Sequence, residues 1–150
     1  MSLESDIKIL IGQPIFAELA PEALRLIAFA SEPLRLGPGD VVFRQGEPSE
    51  GGYVVISGAL SLDSTESPAI AGKVVGPGVL LGELALIVPT QHSTTAIARQ
   101  NSNLLKIPRA LFIRALEASP ASARRLKSAF ARQLQQFVAE LNKARKAFLD

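Results

Sequence analysis

Gly82-Glu83-Leu84-Ala85 is the stretch of this chain best suited to chemistry, followed at a short distance by His92, the only histidine, and by Ser93. A short helix opening at Gly82 would leave its first backbone N–H groups without intrahelical partners and aimed at whatever lies before them, which is the physical basis of anion binding. A phosphate suits such a seat. Glycine at position 82 lets the backbone approach closely, and the Glu83 carboxylate can accept hydrogen bonds from sugar hydroxyls. Alone, a Gly-Glu-Leu-Ala string specifies little; the elements around it decide what it means.

Those elements change character twice along the chain. Asp6–Ile11 reads as one or two helical turns and Pro14-Ile15-Phe16 as a tight break with its side chains inward. A clearer helix starts at Pro21, with Glu22 near its positive end and Leu24, Ile27 and Ala28 on one face. From Ser31 to Pro108 short β-prone runs follow: Pro33–Leu36, Val41–Phe43, Tyr53–Ser57, Ala59–Asp63, Ala69–Val75, Thr94–Arg99 and Leu104–Ile107. Gly37-Pro38-Gly39-Asp40, Gly51-Gly52 and Gly76-Pro77-Gly78 separate them with turn-forming residues. Many short strands at this spacing predict a mainly β fold with flanking helices, an antiparallel β-roll or jelly-roll.

After Pro108 the strands give way to helix. Arg109–Glu117 is helical in period, Ser119-Pro120 reads as an N-cap and a helix-starting proline, and Ala121–Leu149 lacks both glycine and proline. The expected organisation is therefore residues 1–118 as roll and short helices, and 119–150 as a long C-terminal helix of the same domain. Phe130, Leu134, Phe137, Leu141, Ala144 and Phe148 recur along that helix at alternating spacings of four and three, a heptad seam suited to a partner helix. Its first half is expected to fold back on the roll through Leu126. Its second half would leave an apolar stripe in water, which points to a homodimer.

Composition narrows the function classes. A chain of 150 residues and 15.9 kDa can bury roughly two thirds of its unfolded surface without metal or crosslink. It has no cysteine, which rules out disulfides, thiolate metal sites and cysteine nucleophiles, and one histidine cannot build a multi-histidine metal cluster. Neither a catalytic residue set nor a metal site is expected, and hence no enzyme. The start lacks the basic-then-apolar layout of a secretory signal and no apolar run approaches membrane-spanning length, so the expected location is cytoplasmic. The net charge of +2 divides unevenly, with 7 Lys/Arg against 11 Asp/Glu in residues 1–108 and 9 against 3 in residues 109–150. The basic tail reads as a solvated helix face; no helix-turn-helix follows it to meet DNA.

Pro38-Gly39-Asp40, Phe43-Arg44-Gln45-Gly46-Glu47, Tyr53-Val54-Val55-Ile56-Ser57-Gly58, Gly76-Pro77-Gly78 and Gly82-Glu83-Leu84-Ala85-Leu86 follow one another in an order that resembles the cyclic-nucleotide-binding domain family. With the lead-in Phe16-Ala17-Glu18-Leu19 and the helix pair after the roll, the chain looks like the sensor half of catabolite-activator (Crp/Fnr-type) regulators. The resemblance implies no resident cofactor but a ligand, cyclic AMP or cyclic GMP, held by a phosphate-binding cassette while the long helix closes over the purine. Gly82, Leu84 and Ala85 would offer amides to the phosphate, Glu83 would bind the ribose hydroxyl, Ser93 would lie beside the phosphate and Leu60 would line the base pocket. Two positions depart from the pattern. His92 replaces the arginine that normally pairs with the phosphate, and Phe137-Val138 replaces the polar pair that reads the purine. The alternative is a degenerate member that keeps the fold and the dimer, binds no cyclic nucleotide and serves as an interaction module.

Overall fold

The structure, a computed structural model, describes residues 3–65 and 72–149, and side chains as far as residue 147. Three helices come first: α1 (Leu3–Leu10), α2 (Pro14–Ala17) and α3 (Pro21–Ala30). Among the described residues ten strands follow: β1 (Glu32–Leu36), β2 (Val41–Phe43), β3 (Pro48–Ser49), β4 (Gly51–Ser57), β5 (Leu60–Asp63), β6 (Lys73–Val75), β7 (Leu80–Leu81), β8 (Thr90–Gln91), β9 (Thr95–Ala98) and β10 (Ser102–Pro108). A single 3-10 turn, Leu84–Leu86, sits between β7 and β8, and α4 (Arg109–Ala118) and α5 (Pro120–Leu149) end the chain.

The strands form two antiparallel four-stranded sheets, β1-β10-β4-β7 and β2-β9-β5-β6, with β3 and β8 as a separate pair. This is the expected jelly-roll. Where the expected Ala69–Val75 run touches residues 69–71 it lies outside the described residues; its remainder contains β6.

β4 explains how helices and roll share one molecule. Residues 51–56 are all buried, because Val54 and Ile56 face the helices while Tyr53 and Val55 face the interior of the roll. β10 alternates likewise, with Leu105 and Ile107 on the helix side and Leu104 on the roll side. A strand covered on both faces can be apolar at every position, whereas a half-wetted one must alternate. On the helix side, Phe16 of α2 meets Phe112 of α4 edge to face, their centroids 6.0 Å apart.

Two local expectations are corrected. Gly51 and Gly52 do not close a turn but pair within β4 opposite Pro108 and Ile107. Glycine is required at 51 by proximity: a Cβ there would stand 2.0 Å from the Ile107 carbonyl oxygen. Pro14-Ile15-Phe16 is not a break but the start of α2, since a proline at the first helical position gives up an N–H that has no partner there anyway. Its apolar residues Ile15 and Phe16 are buried, as the inward orientation requires.

α5 runs unbroken from Pro120 to Leu149. Ser119 stands directly before it with its hydroxyl 2.8 Å from that of Ser122, which in turn accepts from the Ala20 backbone N–H at 2.7 Å. Leu126 is buried in the helix-side core. Phe130, expected to open the partner seam, is instead half-buried against that same core, because it faces the 3-10 turn of its own domain. From residue 131 to 147 every position is exposed, including Leu134, Phe137, Leu141 and Ala144; the side chain of Phe148 lies outside the described residues. No helix among the described residues is long and apolar enough to cross a membrane.

Candidate functional site

The segment after β7 turns sharply before the 3-10 helix, and Gly82 makes this possible with a φ of +81°, in the region that side chains avoid. A Cβ there would also lie 3.0 Å from the Gly51 carbonyl oxygen. Beyond Gly82, Leu84–Leu86 packs against β4, β8 and α4, with Ala85 and Leu86 buried and Glu83 and Leu84 facing out. In this short turn the amides of Ala85, Leu86 and Ile87 donate to the carbonyls of Gly82, Glu83 and Leu84 at 3.0, 3.2 and 3.0 Å. Ala85 therefore departs from expectation: its amide closes the turn, as the i to i+3 pattern of a 3-10 helix demands, and the amides that precede it are those without an intrahelical acceptor.

Gly82, Glu83, Leu84, Ala85, His92 and Ser93 all line one cavity of about 450 Å³, within the range of small-molecule sites. Leu60 does not. It is fully buried in the roll core, and Leu62, two residues further along the same face of β5, lines the cavity in its place. Phe137 and Val138 lie on the exposed half of α5, away from the cavity lining.

His92 is fixed by two kinds of contact. Its backbone is clasped by the turn at β3, with its N–H donating to the Glu47 carbonyl at 2.9 Å and its carbonyl accepting from the Gly46 N–H at 2.8 Å. Its ring stacks on Phe43, centroids 3.8 Å apart and planes 7° from parallel, with Tyr53 a further tilted neighbour of Phe43 at 5.2 Å. Burial pushes the imidazole below its ordinary pKa; Glu47 pulls it up and Lys106 adds to the depression. At neutral pH the ring is thus held neutral, where an arginine would carry its charge at any pH.

The sequence reading missed Lys73, Phe43 and Leu62. Lys73 is a cation on the cavity wall, contributed by β6, which pairs with β5 in the sheet that does not contain β7. Only the strand order brings it to the site, and no local motif announces it. A second groove, of about 570 Å³, separates Glu83, Leu84 and Ile87 from Phe130 and Gln133 of α5, so the turn faces the cavity on one side and the long helix on the other. Among the described residues no His, Cys, Asp or Glu cluster could hold a metal ion.

Comparison with known proteins agrees with this geometry. Residues 33–119 match the model of the cyclic nucleotide-binding domain. The chain is 32% identical over 137 residues to the cyclic AMP receptor protein of Thermus thermophilus, covering 87% of this chain and 62% of that protein. It is 38% identical over 96 residues to lysophospholipase NTE1 of Pyricularia oryzae, covering 63% of this chain but 6% of the enzyme. The N-terminal domain of a transcriptional regulator from Streptomyces coelicolor superposes with a TM-score of 0.75 at 32% identity, over 86% of this chain and 94% of that one. The chain thus spans less than two thirds of these two curated relatives and nearly all of the isolated N-terminal domain of that regulator, and the domain itself occurs both in regulators and within an enzyme. By sequence and by fold, this chain belongs to the cyclic nucleotide-binding domain family.

Proposed function

We propose that this chain is a regulatory domain that holds cyclic AMP or cyclic GMP in the cavity beneath the 3-10 turn and passes its occupancy to α5. The observation that carries the reading is the convergence of Gly82–Ala85, His92 and Ser93 on that one cavity. The amides opening the turn would receive the cyclic phosphate, Glu83 the ribose hydroxyl, and Lys73 and a protonated His92 the negative charge. Glu83 and Leu84 also border the groove beside Phe130, which supports α5 as the element that responds. The exposed stripe Leu134, Phe137, Leu141 supports pairing of α5 with a second copy in a cytoplasmic homodimer. The domain performs no chemistry itself; any catalytic or DNA-binding output belongs to another part or partner.

Calorimetric titration with cyclic AMP and cyclic GMP at pH 6 and pH 8 tests this. Phosphate favours the imidazolium, so the nucleotide raises the pKa of His92 from its depressed free value. The resulting gain in affinity is present at low pH and lost as pH rises through the pKa of the complex; binding is expected to be tighter at pH 6. His92→Arg should remove most of this pH dependence and tighten binding about 10- to 100-fold, the worth of a charge-assisted hydrogen bond of about 1.5–3 kcal/mol. Absence of heat at both pH values sinks the ligand assignment.

The stack of His92 on Phe43 and its neutral state favour a second reading, a member that keeps the fold and serves as an interaction module without a cyclic nucleotide. Under that reading neither wild type nor His92→Arg takes up nucleotide, while α5 still associates.

A further inference from the structure

Arg109 is the first residue of α4, where the helix macrodipole favours an acid over a base. Its partners lie elsewhere. One guanidinium nitrogen, Nη1, donates to the carbonyls of Ser49 at 3.0 Å, Ala85 at 3.1 Å and Val88 at 3.3 Å, and the Arg109 backbone N–H donates to the Glu50 carbonyl at 2.7 Å. A single residue thereby joins β3, the 3-10 turn, the segment after it and the start of α4.

The direction of these contacts matters. The Ala85 carbonyl belongs to the turn and the Val88 carbonyl to the segment just beyond it, while the opening amides at Gly82–Leu84 precede them, beside the cavity. A cation donating to these carbonyls complements their partial negative charge and restrains the segment that carries the opening amides. It also pins the turn to α4, which packs against both the turn and the long helix.

We propose that Arg109 is the positioning residue of the cassette: it fixes the carbonyl end of the turn so that the opening amides keep their aim, and it ties the placement of the turn to α4. The consequence for nucleotide affinity rests on the function proposed above; the holding of the turn does not.

The test compares wild type, Arg109→Gln and Arg109→Lys in the whole chain by amide hydrogen exchange and by cyclic AMP titration. In Arg109→Gln the amides of Ala85, Leu86, Ile87 and Val88, all bonded within the turn, should exchange about tenfold faster or more, with Val54 and Val55 of β4 unchanged. Cyclic AMP should bind about tenfold more weakly or worse, and Arg109→Lys, which keeps the charge but not the fork, should recover part of both losses. Should Arg109→Gln fail to fold, a selective rise in exchange at the turn of Arg109→Lys supports the proposal in its place. Unchanged turn protection, or equal acceleration in the turn and β4, overturns the proposal. If wild type binds no cyclic nucleotide, the proposed function fails while the exchange comparison still decides the role of Arg109.

Discussion

From Pro120 to Phe130, α5 lies against its own domain: Ser122 and Leu126 are buried, and the Arg125 guanidinium donates to the Glu18 carbonyl at 2.9 Å. Beyond Phe130 the same helix continues with Leu134, Phe137 and Leu141 at 62, 56 and 52% exposure; Arg132 there makes a loose ion pair with Glu18 at 3.8 Å. Propensity does not separate the two halves, since neither contains glycine or a mid-helix proline. What differs is where the apolar residues find partners. The first half uses its own domain, and the second presents a seam that nothing among the described residues covers, an arrangement that a second helix would complete.

Leu126→Ala strikes the buried half and should cost about 2–5 kcal/mol in a denaturant titration; a loss below about 1 kcal/mol would show that α5 is not anchored there. Ser122→Ala should cost about 1–3 kcal/mol in the same titration, because it strands the Ala20 N–H inside the protein and removes the partner of Ser119. Glu18→Gln should change stability by less than about 1 kcal/mol, as expected for a long ion pair whose Arg132 partner is largely exposed. Phe137→Asp should alter the stability of the dilute protein least, by about 0.5 kcal/mol or less, yet abolish association in sedimentation velocity. A dimer that survives Phe137→Asp breaks the contrast between the halves.

Much of this arrangement was legible in the order of residues alone. β2 falls where the Val41–Phe43 run places it, and α3 and α4 begin at the expected Pro21 and Arg109. Glycine, proline and the heptad spacing act locally, so a local reading finds them. The two-residue strands β3, β7 and β8 escaped it because a side-chain period of two cannot show itself in two residues. Gly51-Gly52 misled for a related reason. Glycine marks either a turn or a close approach of two backbones, and only the pairing with β10 tells them apart. At the site, the family resemblance pointed to the correct face of β5 but not to the depth along it, which separates buried Leu60 from cavity-lining Leu62. Lys73 and Arg109 reach the cassette from distant segments, and such contacts exist only once the topology closes.

The double-sided burial of β4 has a thermal corollary. With helices packed on one side of that ribbon and the barrel on the other, neither compartment can loosen and leave its neighbour intact. Scanning calorimetry of the dilute protein would record one endotherm, and a guest pushing on the barrel lining would be felt immediately by the helices behind it.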